Sequence, residues 1–400
     1  MEMKKYKLGE IAYFVEEKIS SDELTLNEYI TTDCLLQNKK GRTIAINLPP
    51  KSCSLTKFKK GDVLIGNIRP YLKKIWFAES AGGCSLDVLV LRAKKMEEAS
   101  FLYSLLLQDD FFDFVMKAPK GSKMPRGDKN HILTYPCFDI QNKIEVGSFI
   151  KSLDDKIALN KKINAKLEAM AKRLYDYWFV QFDYPDKNGK PYKTSGGKMV
   201  WNEVLKRKIP EGWEVGNLYE IADYINGLAC QNYRPQDEEI FLPVIKIKEM
   251  HEGITSDTEK VSATIPEKYI IFDGDILFSW SATLEVMIWT GGKGGLNQHI
   301  FKVVPKSYFT KEYVFQQLSS YIVNFQKMAE ARKTTMGHIT SDHINQSRIV
   351  IPPKEVINAF SEKTLPIFNY QLTIQKEIKK LTNLRDRLLP LLMNGQVEVE

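Results

Sequence analysis

The sequence predicts an α+β protein of two tandem α/β domains, each followed by a long helix, with the two helices pairing as an antiparallel coiled coil. Three observations predict it. The chain repeats itself at about half its length, short apolar runs alternate with turn residues in each copy, and an amphipathic segment closes each copy. An apolar fraction of 43% in 400 residues is sufficient for two hydrophobic cores.

The repeat consists of short matched stretches at a nearly constant offset. GDVL at 61–64 corresponds to GDIL at 274–277, GG at 82–83 to GG at 294–295, and HI at 131–132 to HI at 343–344. The offset stays between 210 and 214 along both copies. This regularity indicates a tandem duplication, and a duplicated chain can present two similar surfaces to a two-part target.

Each copy begins with a mixed region that we expect to fold as an α/β domain. Apolar runs bounded by Gly, Pro and Asn predict strands at 63–66, 88–91, 276–278 and 300–303. Longer segments at 101–115 and 311–328 predict helices. The resulting division is a first domain at 1–142, a central helix at 143–182, a linker at 183–213, a second domain at 214–353 and a distal helix at 354–400.

The two long helices show the alternating four- and three-residue spacing of a coiled-coil seam. Their equivalent places in the repeat favour pairing with each other, although each could instead pack on its own domain. The polar seam residues Asn160, Gln371 and Arg385 would help to fix the register, and Pro390 predicts an end or kink in the last turn. The residues expected in the seam or at a partner-docking surface are Leu153, Asn160, Ile163, Leu167, Met170, Leu174, Ile374, Ile378, Leu381 and Leu388.

Composition limits the other possibilities. Five cysteines form an odd set without a C-x-x-C pair, so we expect neither a disulfide framework nor a structural zinc site. The polar start and the lack of a long apolar run predict a cytoplasmic protein. A net charge of +7 points mildly to a polyanionic partner.

Catalytic motifs are missing from the sequence. The glycines at 291–295 have the wrong spacing for a phosphate-binding loop. Asn67-Ile68-Arg69-Pro70-Tyr71 differs from the Asn-Pro-Pro-Tyr motif of amino-methyltransferases, because Ile-Arg replaces its first proline. We therefore expect no catalytic residue, no metal ligand and no cofactor bound by this chain.

Basic loops occur at equivalent positions of both copies, around 117–129 and 332–338. Such loops are often only solvated surface, but their repetition favours DNA contacts, since Asn, Gln, Lys and Arg bind base edges and phosphates. The candidate DNA-contacting residues of the first copy are Asn38, Lys39, Lys40, Arg42, Arg69, Lys73, Lys74, Lys120, Ser122, Lys123, Arg126 and Lys129. Those of the second copy are Gln231, Asn232, Arg234, Lys246, Lys248, Arg332, Lys333, Thr334, Thr335 and His338.

Several stretches, taken together and in order, resemble the specificity subunit of type I restriction–modification enzymes over essentially the full length. They are GDVLIGNIRPY at 61–71, KGSKMPRG at 120–127, NKKINAKLE at 160–168, GDILFSWS at 274–281 and LLPLLMNG at 388–395. The resemblance implies two target-recognition domains that bind the halves of an asymmetric, bipartite DNA site. It also implies a non-catalytic subunit whose helices dock two modification subunits.

In that family, the modification subunits bind S-adenosylmethionine and methylate adenine, and motor-nuclease subunits use ATP and magnesium. We therefore expect these cofactors on partner subunits. Two other functions stay open at this point: a self-sufficient adenine-DNA methyltransferase or endonuclease, and a coiled-coil scaffold without a DNA role. The missing cofactor loop disfavours the first, and the paired basic loops disfavour the second.

Overall fold

The computed structural model describes residues 4–118, 124–281, 283–331 and 339–399. The chain divides into two compact units. The first comprises Met1–Ala158 and Lys380–Glu400, and the second comprises Leu159–Lys379. Each unit contains one copy of the duplicated α/β domain together with a part of each long helix.

The first unit contains ten strands and four short helices within its described residues. The strands are β1 (Lys5–Lys7), β2 (Ala12–Phe14), β3 (Lys18–Ser20), β4 (Tyr29–Ile30), β5 (Ser54–Phe58), β6 (Val63–Gly66), β7 (Ile75–Phe77), β8 (Gly82–Cys84), β9 (Val88–Ala93) and β10 (Pro136–Phe138). The short helices are α1 (Leu8–Ile11), α2 (Ala99–Leu106), α3 (Asp109–Val115) and α4 (Lys129–Leu133). The long helix α5 (Lys143–Tyr175) begins in this unit and ends in the second.

The second unit repeats this arrangement and adds a hairpin of two antiparallel strands, at 199–202 and 207–210. Its strands are β11 (Met199–Asn202), β12 (Arg207–Pro210), β13 (Glu214–Gly216), β14 (Ala222–Asn226), β15 (Phe241–Ile245), β16 (Lys260–Ser262), β17 (Ile270–Ile271), β18 (Ile276–Ser279), β19 (Glu285–Ile288), β20 (Gly294–Leu296), β21 (Ile300–Pro305) and β22 (Ile349–Ile351). Its helices are α6 (Leu218–Ile221), α7 (Ile247–Glu252), α8 (Lys311–Ala331) and α9 (Ser341–Asn345). The long helix α10 (Lys354–Met393) begins here and ends in the first unit.

The main sheet has the same strand order in both units. It is β2-β9-β6-β7 in the first and β14-β21-β18-β19 in the second, with antiparallel neighbours throughout. The register also corresponds, since Val63 pairs with Leu91 and Ile276 pairs with Val303. These strands are apolar because the sheet is covered by buried side chains of each unit's core. The duplication that the sequence indicates is therefore confirmed as a duplication of fold.

The second sheet shows where the two copies differ. In the first unit β8 pairs with β5 antiparallel and with β4 parallel, and in the second unit β20 pairs with β17 antiparallel and with β15 parallel. The fourth strand lies at opposite edges of this shared core. It is β3 beside β5 in the first unit and β16 beside β15 in the second. A common frame thus carries different edges and different connecting loops.

The repeated glycine pair has a packing reason. A Cβ atom on Gly82 would lie 2.2 Å from the carbonyl oxygen of Glu28, and one on Gly295 would lie 2.5 Å from Cγ1 of Val261. Only glycine permits this close approach of backbone and neighbours at the central strand. The same constraint in both copies explains why the pair recurs in the sequence.

The helix expected at 101–115 is interrupted in the structure. Helix α2 ends at Leu106 and α3 begins at Asp109, because Gln108 between them has extended backbone angles. Asp109 and Asp110 occupy the first turn of the new helix, where carboxylates are stabilised by the helix dipole. This break places Asp109 at the start of α3.

The antiparallel pairing of the long helices is confirmed within each unit. In the first unit, Arg385 of α10 donates to Asp154 of α5 at 2.6 Å. In the second unit, Gln375 of α10 and Asn164 of α5 approach within 3.5 Å through their side-chain amides. Also in the second unit, the rings of Trp178, just after α5, and Phe360 of α10 lie 5.7 Å apart, so the residue number falls along α10 as it rises along α5 and the helices run in opposite directions.

The seam differs in part from the one predicted by periodicity. Leu153, Asn160 and Ile374 are buried, and six predicted seam residues are half-buried, namely Ile163, Leu167, Leu174, Ile378, Leu381 and Leu388. Met170, however, is 54% exposed while Ala171 beside it is buried. A straight helix has 3.6 residues per turn, so a strict seven-residue pattern drifts from the buried face over several turns. Nor does Pro390 end α10, which continues to Met393.

Candidate nucleic-acid interface

Three loops of the first unit, distant in sequence, are joined by backbone hydrogen bonds. The amide of Asn38 donates to the carbonyl of Leu72, and the amide of Lys39 donates to the carbonyl of Lys73, both at 2.9 Å. The amide of Arg69 donates to the carbonyl of Pro125, also at 2.9 Å. The structure therefore brings together three groups of predicted DNA contacts, at 38–42, 69–74 and 126–129.

The backbone of this loop cluster is strained. Asn38, Lys39, Arg69 and Lys73 all have φ between 51° and 58°, in the left-handed region that side chains disfavour. Lys39, Arg69 and Lys73 each cost about 1–2 kcal/mol relative to ordinary backbone, whereas asparagine adopts this conformation more readily. Strain of this kind is retained where surrounding structure enforces it, and it concentrates at functional sites. It supports the assignment of these loops as a binding surface.

Two of the predicted lysines share one carboxylate. The Nζ atoms of Lys39 and Lys73 lie 2.8 and 2.7 Å from Oδ1 of Asp109. Partial burial raises the pKa of the Asp109 carboxyl, but the hydrogen bonds and charges of the two lysines outweigh it, so that the pKa is lowered overall. One negative charge against two positive charges leaves this cluster positive.

Arg42 and Lys74 are held by neutral acceptors. The Arg42 guanidinium lies over the Trp76 ring at 4.5 Å and donates to the carbonyl and the side-chain oxygen of Asn27, at 3.0 and 3.2 Å. Lys74 Nζ donates to the carbonyl of Thr32 at 2.5 Å. Because these partners are neutral, they leave the two positive charges uncompensated, but they engage donors that we expected to contact DNA.

The remaining candidates of this unit are more exposed. Asn38, Lys40, Arg69 and Lys129 have exposed side chains, and Lys129 lies 5.4 Å from the Phe14 ring. Arg126 is half exposed and pairs with Asp87 at 2.8 Å. Three predicted contacts lie outside the described residues: Lys120, Ser122 and Lys123.

The second unit places two of its candidates around an acidic residue. Lys246 pairs with Glu259 at 2.5 Å, and this bond, with a smaller effect of Arg234, lowers the pKa of Glu259. Gln231 and Asn232 lie exposed in a single 3₁₀ turn, and Lys248 is exposed on α7. The other predicted contacts, Arg332, Lys333, Thr334, Thr335 and His338, lie outside the described residues.

Asp109 and Asn27 belong to this surface but were not expected there, and neither was the contact of the buried Trp76 ring with the Arg42 guanidinium. They lie far in sequence from the loop residues that they contact, so neither residue spacing nor local composition predicts these contacts. Within the described ranges, no group of three His, Cys, Asp or Glu side chains is arranged to hold a metal ion. No helix among those residues has the length and apolar character needed to cross a membrane.

The chain is similar to several proteins of known function. Residues 210–383 match the family model described as the type I restriction modification DNA specificity domain. The HindI specificity subunit of Haemophilus influenzae is 25% identical over 98% of this chain and 99% of its own length. The MjaIX specificity subunit of Methanocaldococcus jannaschii is 25% identical over 88% of this chain and 81% of its own.

A solved structure shares the fold. The type I restriction–modification S subunit from M. genitalium superposes with a TM-score of 0.60 at 11% identity, covering 100% of this chain and 97% of that one. The duplicated α/β domains, the antiparallel long helices and the sequence matches agree with one another. The chain is similar to type I restriction enzyme specificity subunits along nearly its whole length, and residues 210–383 match the DNA specificity domain.

Proposed function

We propose that this protein is the non-catalytic subunit that gives a type I restriction–modification complex its DNA sequence specificity. Each unit binds one half of an asymmetric, bipartite site. The observation that carries the proposal is a duplicated frame with divergent loops, since the main sheets have one strand order while the second sheets are extended at opposite edges. Similar frames with different loops suit two different half-sites.

Base contacts come from the exposed polar side chains of these loops. In the first unit these are Asn38, Lys40 and Arg69, because asparagine binds adenine and arginine or lysine binds guanine in the major groove. In the second unit Gln231, Asn232 and Arg234 have the corresponding chemistry. The lysines and arginines around them contact phosphates, so that binding weakens as salt concentration rises.

The long helices carry the partner subunits. In the second unit, Met170, Leu174, Tyr177 and Ile367 line an open, largely apolar recess on α5, the π-helical turn that follows it and α10. Exposed apolar surface of this kind is typical of protein–protein contacts. Two modification subunits bind along the helices and supply S-adenosylmethionine, while motor-nuclease subunits supply ATP and magnesium chemistry. The complex acts on double-stranded DNA in the cytoplasm.

The test is methylation-aware sequencing of the host genome with and without this chain. The expected result is that deletion abolishes methylation at one asymmetric, gapped adenine motif, and that the chain expressed from a plasmid restores it. A methylome that does not change between these strains, in cells whose modification subunit is expressed, would contradict the proposal. A chain that bound S-adenosylmethionine without partners would instead favour a self-sufficient methyltransferase.

A further inference from the structure

Asp109 forms a compact charge cluster with Lys39 and Lys73, here called the lysine–aspartate cluster. Both ammonium nitrogens contact the same carboxylate oxygen, at 2.8 and 2.7 Å. The Lys39 side chain is only 12% exposed, whereas that of Asp109 is 58% exposed. The cluster therefore connects the interior of the loops with their surface.

The carboxylate joins two loops that would otherwise repel each other. Lys39 lies in one loop and Lys73 in the other, and the amide of Lys39 donates to the carbonyl of Lys73 at 2.9 Å. Two ammonium groups this close repel strongly in a partly buried place, where water screens them poorly. Asp109 compensates that repulsion and holds the loops together from the first turn of α3.

The exposed side chains at the loop surface depend on this junction. Asn38 precedes Lys39, and Arg69 lies one 3₁₀ turn before Lys73, each with left-handed backbone. Asparagine and arginine discriminate bases through paired hydrogen bonds, which require a fixed position of the side chain. If the two loops separate, these positions change even though neither side chain is altered.

We propose that Asp109 is a specificity-determining positioning residue of the first unit, acting through Lys39 and Lys73. It fixes the loop surface that contacts the bases and reduces the attraction of that surface for unrelated DNA by removing one positive charge. This inference rests on the proposed function. It concerns only the half-site that the first unit binds.

The matched variants are Asp109→Asn and Asp110→Asn. Both residues lie in the first turn of α3, both are exposed, and both substitutions remove one negative charge. Only the first removes the negative charge from the carboxylate that the two lysines share. Any effect of net charge alone is therefore common to both variants, and an effect of the cluster is confined to Asp109→Asn.

The experiment is methylome sequencing of cells that carry the complete modification complex with each variant. We expect Asp109→Asn to permit methylation at sites with base changes in one half of the gapped motif only, while Asp110→Asn retains the motif. Equal stringency in the two variants, or relaxation of both halves alike, overturns the inference. A wild-type complex without any gapped motif dependent on this chain would contradict the proposed function instead.

A binding measurement on the purified complex gives a second readout. Competition between a cognate duplex and an unrelated duplex at one salt concentration measures the specificity ratio. We expect Asp109→Asn to lower this ratio by about tenfold, and Asp110→Asn to leave it unchanged. If Asp109→Asn prevents assembly, Asp109→Glu keeps the charge on a longer side chain; relaxation confined to one half-site then supports the inference, and unchanged stringency refutes it.

Discussion

Arg385 offers a direct test of how the helix pair is registered in the first unit. Its guanidinium donates to Oδ1 of Asp154 at 2.6 Å, and the hydroxyl of Tyr103 donates to Oδ2 of the same carboxylate at 2.7 Å. The side chains of Arg385 and Asp154 are only 8% and 14% exposed. Three elements, α2, α5 and α10, thus meet at one buried carboxylate.

The expected magnitude follows from this burial. Arg385→Met leaves the Asp154 carboxylate buried with only the tyrosine as a donor, and removing one partner of a buried pair costs about 3–5 kcal/mol. Replacing the whole group by apolar side chains removes the unpaired charge as well. We therefore expect a variant with Tyr103→Phe, Asp154→Leu and Arg385→Met to recover most of that loss.

Hydrogen exchange of the full-length chain, followed by mass spectrometry, measures the free energy of opening at 143–158 and 380–393. Arg385→Met should accelerate exchange there by about 100-fold or more, since about 1.4 kcal/mol corresponds to a factor of ten. The control is Lys172→Met, which breaks the pair between the exposed Lys172 of α5 and Asp176 in the π-helical turn that follows, and should cost less than about 1 kcal/mol. Equal exchange in the two variants would refute the reasoning, as would a triple variant no better protected than Arg385→Met.

Three further outcomes are expected. Alanine substitution of Lys120, Lys123 and Arg126 should weaken duplex binding. The slope of the logarithm of the binding constant against the logarithm of salt concentration should become shallower by up to about 0.9 for each phosphate that the loop no longer neutralises. Titration at several salt concentrations measures this slope, and unchanged binding would exclude the loop from the DNA contacts. Changing Leu167 and Leu381 together to Asp should separate the helix pair, because both leucines are half-buried on the long helices. Co-purification with the modification subunit should then be abolished, and normal assembly would argue against the paired helices as the docking surface. The pKa of Asp109 is lowered in the folded chain, so its stabilising contribution is present above the unfolded pKa of about 3.9 and disappears as the pH falls through the folded value. The difference in unfolding free energy between wild type and Asp109→Asn should therefore be constant from about pH 5 to 7 and shrink below about pH 4. A difference that grows on acidification would contradict the lysine contacts.

Local sequence patterns were sufficient for the outline of the fold. The strands β6 and β18 begin within the matched GDVL and GDIL stretches, and the recurring glycine pair lies in the strands β8 and β20. Such features depend on near neighbours along the chain, namely apolar runs, turn residues and their spacing.

Other features depend on which distant side chains meet. The seven-residue periodicity predicts Met170 in the seam, yet Ala171 is the buried residue. A seven-residue pattern drifts around a straight helix, so the buried face is selected by packing against the neighbouring elements. The apolar residues on both sides of Gln108, Asp109 and Asp110 predict one continuous helix, whereas the structure ends α2 before these polar residues and begins α3 at Asp109.

By itself, the sequence determined that this protein has two copies of one α/β domain, two long helices, a positive charge and basic loops at equivalent places. Only the tertiary structure decided that Asp109 holds Lys39 and Lys73, and that Asp154 links Tyr103 and Arg385. The physical reason is that strands and helices arise from interactions within a few residues. A shared carboxylate requires groups far apart in the chain to be brought within 3 Å by the packing of the whole unit.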